Sequence, residues 1–110
     1  MDLNPEALKD KYGNIFPVTV EGLLAKDGEE KSFTFYFQEA KTAHINRYLK
    51  EAAQRALDAT KNFLYSLVVP EQMDEMKAAF GEFPLLPLKL ADPYTDQLGL
   101  GASVNIQKKL

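Results

Sequence analysis

Val18-Thr-Val-Glu-Gly-Leu-Leu-Ala-Lys26, Asp27-Gly28, Glu29-Glu-Lys-Ser-Phe-Thr-Phe-Tyr-Phe37: these twenty residues are two alternating runs hinged on Asp-Gly. Asp-Gly is the favoured pair for a two-residue type I′ turn, in which both central residues need positive φ. That turn predicts a register with Val18 opposite Phe37, Val20 opposite Phe35, Gly22 opposite Phe33 and Leu24 opposite Lys31. Side chains alternate along a strand, so Val18, Val20, Leu24, Phe33, Phe35 and Phe37 share one apolar face. Thr19, Glu21, Ser32, Thr34 and Tyr36 share the other. Pro17 is placed just outside the first strand, where its missing N–H costs little.

Beyond Phe37 the apolar period changes from two to about 3.6. Ile45, Tyr48, Leu49, Ala52, Ala53, Ala56, Leu57, Thr60, Phe63, Leu64 and Leu67 recur at helical spacing. Residues 41–68 are therefore expected to be one long helix, or two broken near Thr60–Asn62, ending before Pro70. Asn4-Pro5-Glu6 and Pro70-Glu71 open two further helices, since proline is tolerated in the first helical turn. The second carries Met73, Met76 and Phe80 on one side and ends near Gly81 and Pro84. Leu85-Leu86-Pro87-Leu88 is apolar but broken by proline, and one or two helical turns are expected over 89–98, interrupted at Asp92-Pro93 and stopped by Gly99-Leu-Gly101. A two-stranded hairpin is marginal alone, so the long helix is expected to cover its phenylalanine face. The expectation is a single α+β domain over 1–110. It comprises an N-terminal arm (1–14), the hairpin (15–38), a helical part (39–101) and a tail (102–110).

Composition narrows the function classes. At 110 residues the chain can bury about 65% of its unfolded surface, enough for one core. It has no cysteine and one histidine, which leaves no thiolate chemistry and no multi-histidine metal site. The net charge of −3 and the lack of a basic stripe argue against nucleic acid. No apolar run reaches the ~18 residues of a membrane span, and the first residues lack a signal-peptide pattern. The sequence thus reads as cytoplasmic, with no cofactor.

No group of residues spells out a reaction. His44 could serve as a base but has no local carboxylate to orient it, and a capping or surface role accounts for it better. Asp27/Glu29/Glu30 and Asp74/Glu75 read as solvated charge, and Asp92/Asp96 lack the loop of a cation site. Three of the aromatics at 33–37 face the core, which leaves Tyr36 outward and removes a base-stacking strand. The Met73/Met76/Phe80 stripe reads first as core, although methionine at a surface suits adaptable binding. The two hairpin edges read as unpaired, a route to self-association.

The order of features over 33–100 resembles the small tail assembly chaperones of long-tailed bacteriophages and prophages. The residues that carry it are Phe33-Thr-Phe35, Arg47-Tyr48-Leu49-Lys50, the block Asn62 to Pro70, Phe80-Gly-Glu-Phe-Pro84-Leu-Leu and Gln97-Leu98-Gly99. Gln38-Glu-Ala-Lys41 stands where that family often has a proline. The resemblance implies a non-enzymatic protein of the bacterial host cytoplasm that shields the apolar tape-measure protein until the tail tube forms. On that reading the partner-binding candidates are Leu23, Tyr36, Met73, Met76, Leu85 and Leu86, with no catalytic, metal or cofactor residue. The alternative is a small bacterial interaction or regulatory module that self-associates through its hairpin edge.

Overall fold

A computed structural model describes residues 3–100. Helix α1 (Pro5–Tyr12) begins where the Asn4 side chain accepts the Glu6 N–H, 3.0 Å away. Strands β1 (Ile15–Leu24) and β2 (Glu30–Gln38) form an antiparallel hairpin. Helices α2 (Thr42–Ala52), α3 (Ala56–Leu67), α4 (Met73–Glu82) and α5 (Leu86–Thr95) follow. The expected α+β architecture is thus present. The expected tail over 102–110 lies outside the described residues.

The hairpin departs from its expected register twice. Asp27 does not adopt positive φ, and Gly28 alone does, at +85°. Gly28 N–H bonds Ala25 O and Ala25 N–H bonds Glu29 O, so the loop has three residues rather than two. This is the alternative hairpin connection, which needs a glycine only at its last loop position. On its own it would put Val18 and Val20 opposite the polar-face residues Tyr36 and Thr34. A β-bulge between Val20 and Leu23, with Gly22 at φ +73°, corrects this. The result pairs Phe16 with Phe37, Val18 with Phe35 and Val20 with Phe33. The phenylalanine face survives, slid by two residues. The bulge also turns Leu23 onto the core side and leaves Leu24 68% exposed, the reverse of the expectation for Leu24. Pro17 lies inside β1, opposite Tyr36, on the outer edge where no ladder donor is needed.

The long helix is two. The break falls at Ala53–Arg55 rather than at Thr60–Asn62, and α2 folds back on α3. Tyr48 stacks on Phe63 with ring centroids 4.6 Å apart, and its hydroxyl lies 3.3 Å from Thr60 Oγ1. No glycine or proline marks the break, so it follows from tertiary pairing. The core is therefore covered by α3, α4 and α5, while α2 contributes no buried residue.

At the centre stands Tyr94 of α5. Its ring meets Phe37 at 4.8 Å, Phe63 at 5.8 Å and Phe16 at 6.0 Å, and its hydroxyl donates to Gln38 O. Burial pushes its phenol well above the usual range. Helix α5 is longer than expected because Pro87 sits in its first turn, where a proline fits, and the helix continues through Pro93.

The outer edge of β2 is closed. The segment after α3 lies beside it, with Phe37 bridged to Val68 and Val69 N–H donating to Tyr36 O at 2.9 Å. The buried Gln72 amide finishes the edge: its Oε1 accepts Tyr36 N–H and its Nε2 donates to Thr34 O, both at 2.8 Å. A side chain thus does the work of one more strand residue. The expected unpaired edge is absent on this side of the hairpin.

Candidate functional site

Helix α2 carries Ile45, Tyr48, Leu49 and Ala52 at i, i+3, i+4 and i+7, the stripe of a helix that buries one face. Only part of that stripe meets α3. Tyr48 leans on Phe63, whereas Leu49 is 62% exposed and Ile45 is also exposed. Across from them the chain leaving α5 turns at Gly99, φ +116°, and sets Leu98 opposite the stripe. Between the two lies an open groove of about 430 Å³, lined by Ile45, Tyr48, Leu49, Phe63, Thr95 and Leu98, with Gly99 at its end. None of these carries a charge, and the size falls within the range of ligand pockets. The groove suits apolar side chains presented by a helix or an extended segment.

A second concavity of about 530 Å³ lies where the β1 bulge meets the α4–α5 turn. It brings together three of the residues singled out from the sequence, Leu23, Leu85 and Leu86, beside Phe83 and Pro84. Leu85 is exposed and Leu23 half-buried, but Leu86 is buried in the core. Met76 is also fully buried, because α4 turns it inward toward the hairpin. Leu86 and Met76 therefore offer no surface to a partner. Met73 is half-buried against the core, and Tyr36 is half-buried beside Gln72. The six candidates thus do not form one site.

The α2 groove was missed because its residues read as core in the sequence. The available sign was an amphipathic stripe too long to be covered by one hairpin face, but the position of the helix break decides which half stays open.

The polar clusters have structural partners. His44 Nδ1 accepts the Lys41 N–H at 3.0 Å and so caps α2. Glu51 bonds Arg47 at 2.9 Å, and this hydrogen bond, with a further one from Asn62, holds its carboxyl below the usual range. Glu71 accepts the Tyr12 hydroxyl at 2.6 Å, which lowers its carboxyl in the same way and ties α1 to the short helical turn Pro70–Gln72 that leads into α4. Lys31 bonds Glu82 at 2.6 Å, joining β2 to the end of α4. Among the described residues no three His, Cys, Asp or Glu side chains gather as a metal site. No helix among them is long and apolar enough to cross a membrane.

Similarity to known proteins follows the whole fold. A solved structure, that of the uncharacterised protein rbstp2171 from Bacillus stearothermophilus, is 33% identical over 94% of this chain and all of its own. The two superpose with a TM-score of 0.78. No curated protein matches the sequence. The family model described as a domain of unknown function, DUF6848, matches residues 8–108. The chain belongs to the DUF6848 family.

Proposed function

We propose that this protein is a non-enzymatic protein-binding factor of the phage tail assembly chaperone kind, working in the bacterial cytoplasm. The α2 groove would hold apolar segments of a tape-measure protein and keep that protein soluble. One observation carries the reading: the eleven-residue amphipathic helix α2 leaves Ile45 and Leu49 of its apolar stripe exposed at an uncharged groove. Contiguous exposed apolar surface on a small domain marks an interaction site more often than it marks an accident of packing. A shallow, open groove also fits a chaperone, which must release its client, because affinity can come from several weak contacts along an extended chain.

The test is co-expression with a tape-measure protein of a long-tailed bacteriophage. The wild-type chain is expected to raise the soluble fraction of that partner several-fold. Leu49→Glu, at an exposed position, is expected to remove most of the gain while leaving the fold intact. A partner that is equally soluble alone, or equally soluble with Leu49→Glu, refutes the reading.

A further inference from the structure

The α2 groove is uncharged inside but flanked by opposite charges. His44, Arg47 and Glu51 turn toward α3, so the open side of α2 runs from Ile45 and Leu49 round to Lys50. Arg47 is paired with Glu51, whereas Lys50 is exposed and has no ion-pair partner among the described residues. The opposite wall is the end of α5 with the turn that follows it. Beyond Thr95 and Leu98, which line the groove, Asp92 and Asp96 are exposed and likewise unpaired among the described residues. Lys89, one turn earlier, faces the β1 bulge instead. We propose that a second copy of this chain occupies the groove in the free protein. Two molecules dock antiparallel about a two-fold axis. Each sets Ile45 and Leu49 into the groove of the other and lays its Lys50 against the other's Asp92 and Asp96.

Charge complementarity selects this occupant. The surface carries both halves of the contact, an apolar helix with a cation on its flank and an uncharged groove with an acidic ridge. A two-fold axis makes such a surface self-complementary, so each pairing is made twice. The charges also fix where the helices lie. Two α2 helices stacked directly on one another would bring like charges together, Lys50 and Arg47 of each copy against those of the other. A helix shifted into the groove beside the partner's α2 meets Thr95 and Leu98 with its leucine and the two aspartates with its lysine. Size then sets the strength. In plan, α2 and the α5 wall beside it cover about 16 by 20 Å, roughly 320 Å², against the ~800 Å² per partner of a stable dimer. The pair is therefore transient. It keeps Ile45 and Leu49 from water in the free protein and yields to any client that binds the same groove more tightly.

The dimer and the client share one groove, but the experiment uses the full chain alone, so the failure of either reading leaves the other standing. Sedimentation equilibrium is run at about 10 to 500 µM protein in about 50 mM salt, where surface charges are little screened. The wild type is expected to associate reversibly and to stop at the dimer. Leu49→Glu, Lys50→Glu and the double change Asp92→Lys with Asp96→Lys should each weaken the dimer at least tenfold. All four positions are exposed, and circular dichroism verifies that each variant is folded. The decisive sample is an equimolar mixture of the Lys50→Glu chain and the Asp92→Lys/Asp96→Lys chain. Each alone sets like charges against each other, whereas in the mixed pair every flank again meets its opposite. Dimerisation should return to within threefold of the wild type. A wild type that stays monomeric leaves the groove to another partner and overturns the proposal. So does a mixture no more associated than its components, a dimer indifferent to Leu49→Glu, or association that grows past two copies.

Discussion

Replacing Gln72 with leucine tests whether one side chain closes the sheet. The amide makes two hydrogen bonds of 2.8 Å to the outer edge of β2, one to Tyr36 N–H and one to Thr34 O. Gln72→Leu keeps nearly the same volume, excludes water and leaves both backbone groups without partners. A buried polar group stranded in this way costs about 1–3 kcal/mol. Two of them cost about 2–6 kcal/mol, and the extra apolar surface of leucine returns about 1 kcal/mol. A net loss of about 1–5 kcal/mol is expected, and its midpoint of about 3 kcal/mol corresponds to about 12–24 °C in Tm for a domain of this size. Urea unfolding measures the loss, and amide exchange at Tyr36 should accelerate with it. Gln72→Glu adds a pH signature. Its carboxylate can accept from Tyr36 N–H but opposes Thr34 O, whereas the protonated acid can donate to that oxygen as the amide does. Its folded pKa is therefore raised above the ordinary ~4.3. Its deficit relative to wild type should be smallest below about pH 4 and grow as pH rises through the folded value. A Gln72→Leu variant within 0.5 kcal/mol of wild type, with Tyr36 exchange unchanged, would refute the account.

Three further outcomes follow from the geometry. Tyr48→Ala removes the stack on Phe63 and should expose α2 amides to exchange while those of β2 and α3 stay protected, because α2 contributes no fully buried residue and Tyr48 is its main contact with the core. Loss of protection throughout would show instead that α2 is part of the global unit. Leu23→Ser should cost about 1–2 kcal/mol, whereas Leu24→Ser, at a solvent-facing position, should stay within about 0.5 kcal/mol in urea unfolding. The opposite ranking would restore the two-residue turn. Tyr12→Phe should raise the Glu71 carboxyl toward its ordinary value, as read by carboxyl NMR titration. The depressed Glu71 value contributes stability above the unfolded pKa of about 4.3 that is lost as pH falls through the folded value, so Tyr12→Phe should flatten stability over that acid window.

Local patterns with a strict period were legible in the sequence. The alternation of Phe33, Phe35 and Phe37 identified β2 and its buried face, and Asn4-Pro5 and Pro70 located two helix starts. What could not be read depends on contacts between distant parts. The register turned on whether Asp27 or only Gly28 takes positive φ, and both turns are compatible with Asp-Gly. The α2–α3 break carries no local signal, since Ala53, Gln54 and Arg55 are all good helix formers, and contacts between the two helices select it, the Tyr48–Phe63 stack and the Asn62–Glu51 hydrogen bond among them. Pro93 by its local chemistry argues for an interruption of the last helix, yet α5 passes through it. Met76 and Leu86 seemed available to a partner because periodicity gives a face but not what the face meets.

The bulge at Gly22 has a consequence for chain length. Glu21 and Gly22 together stand opposite Ser32, so β1 holds one residue more than its ladder uses. Deleting Gly22 would leave every pairing from Phe16–Phe37 to Leu24–Glu30 in place and simply straighten the strand. Deleting Thr19, three positions earlier, could be absorbed only by turning Val20 outward and Glu21 toward the phenylalanines, or by turning Val18 and Phe16 away from them. Relatives one residue shorter in this hairpin should therefore carry their gap at the bulge and not in the strand on either side.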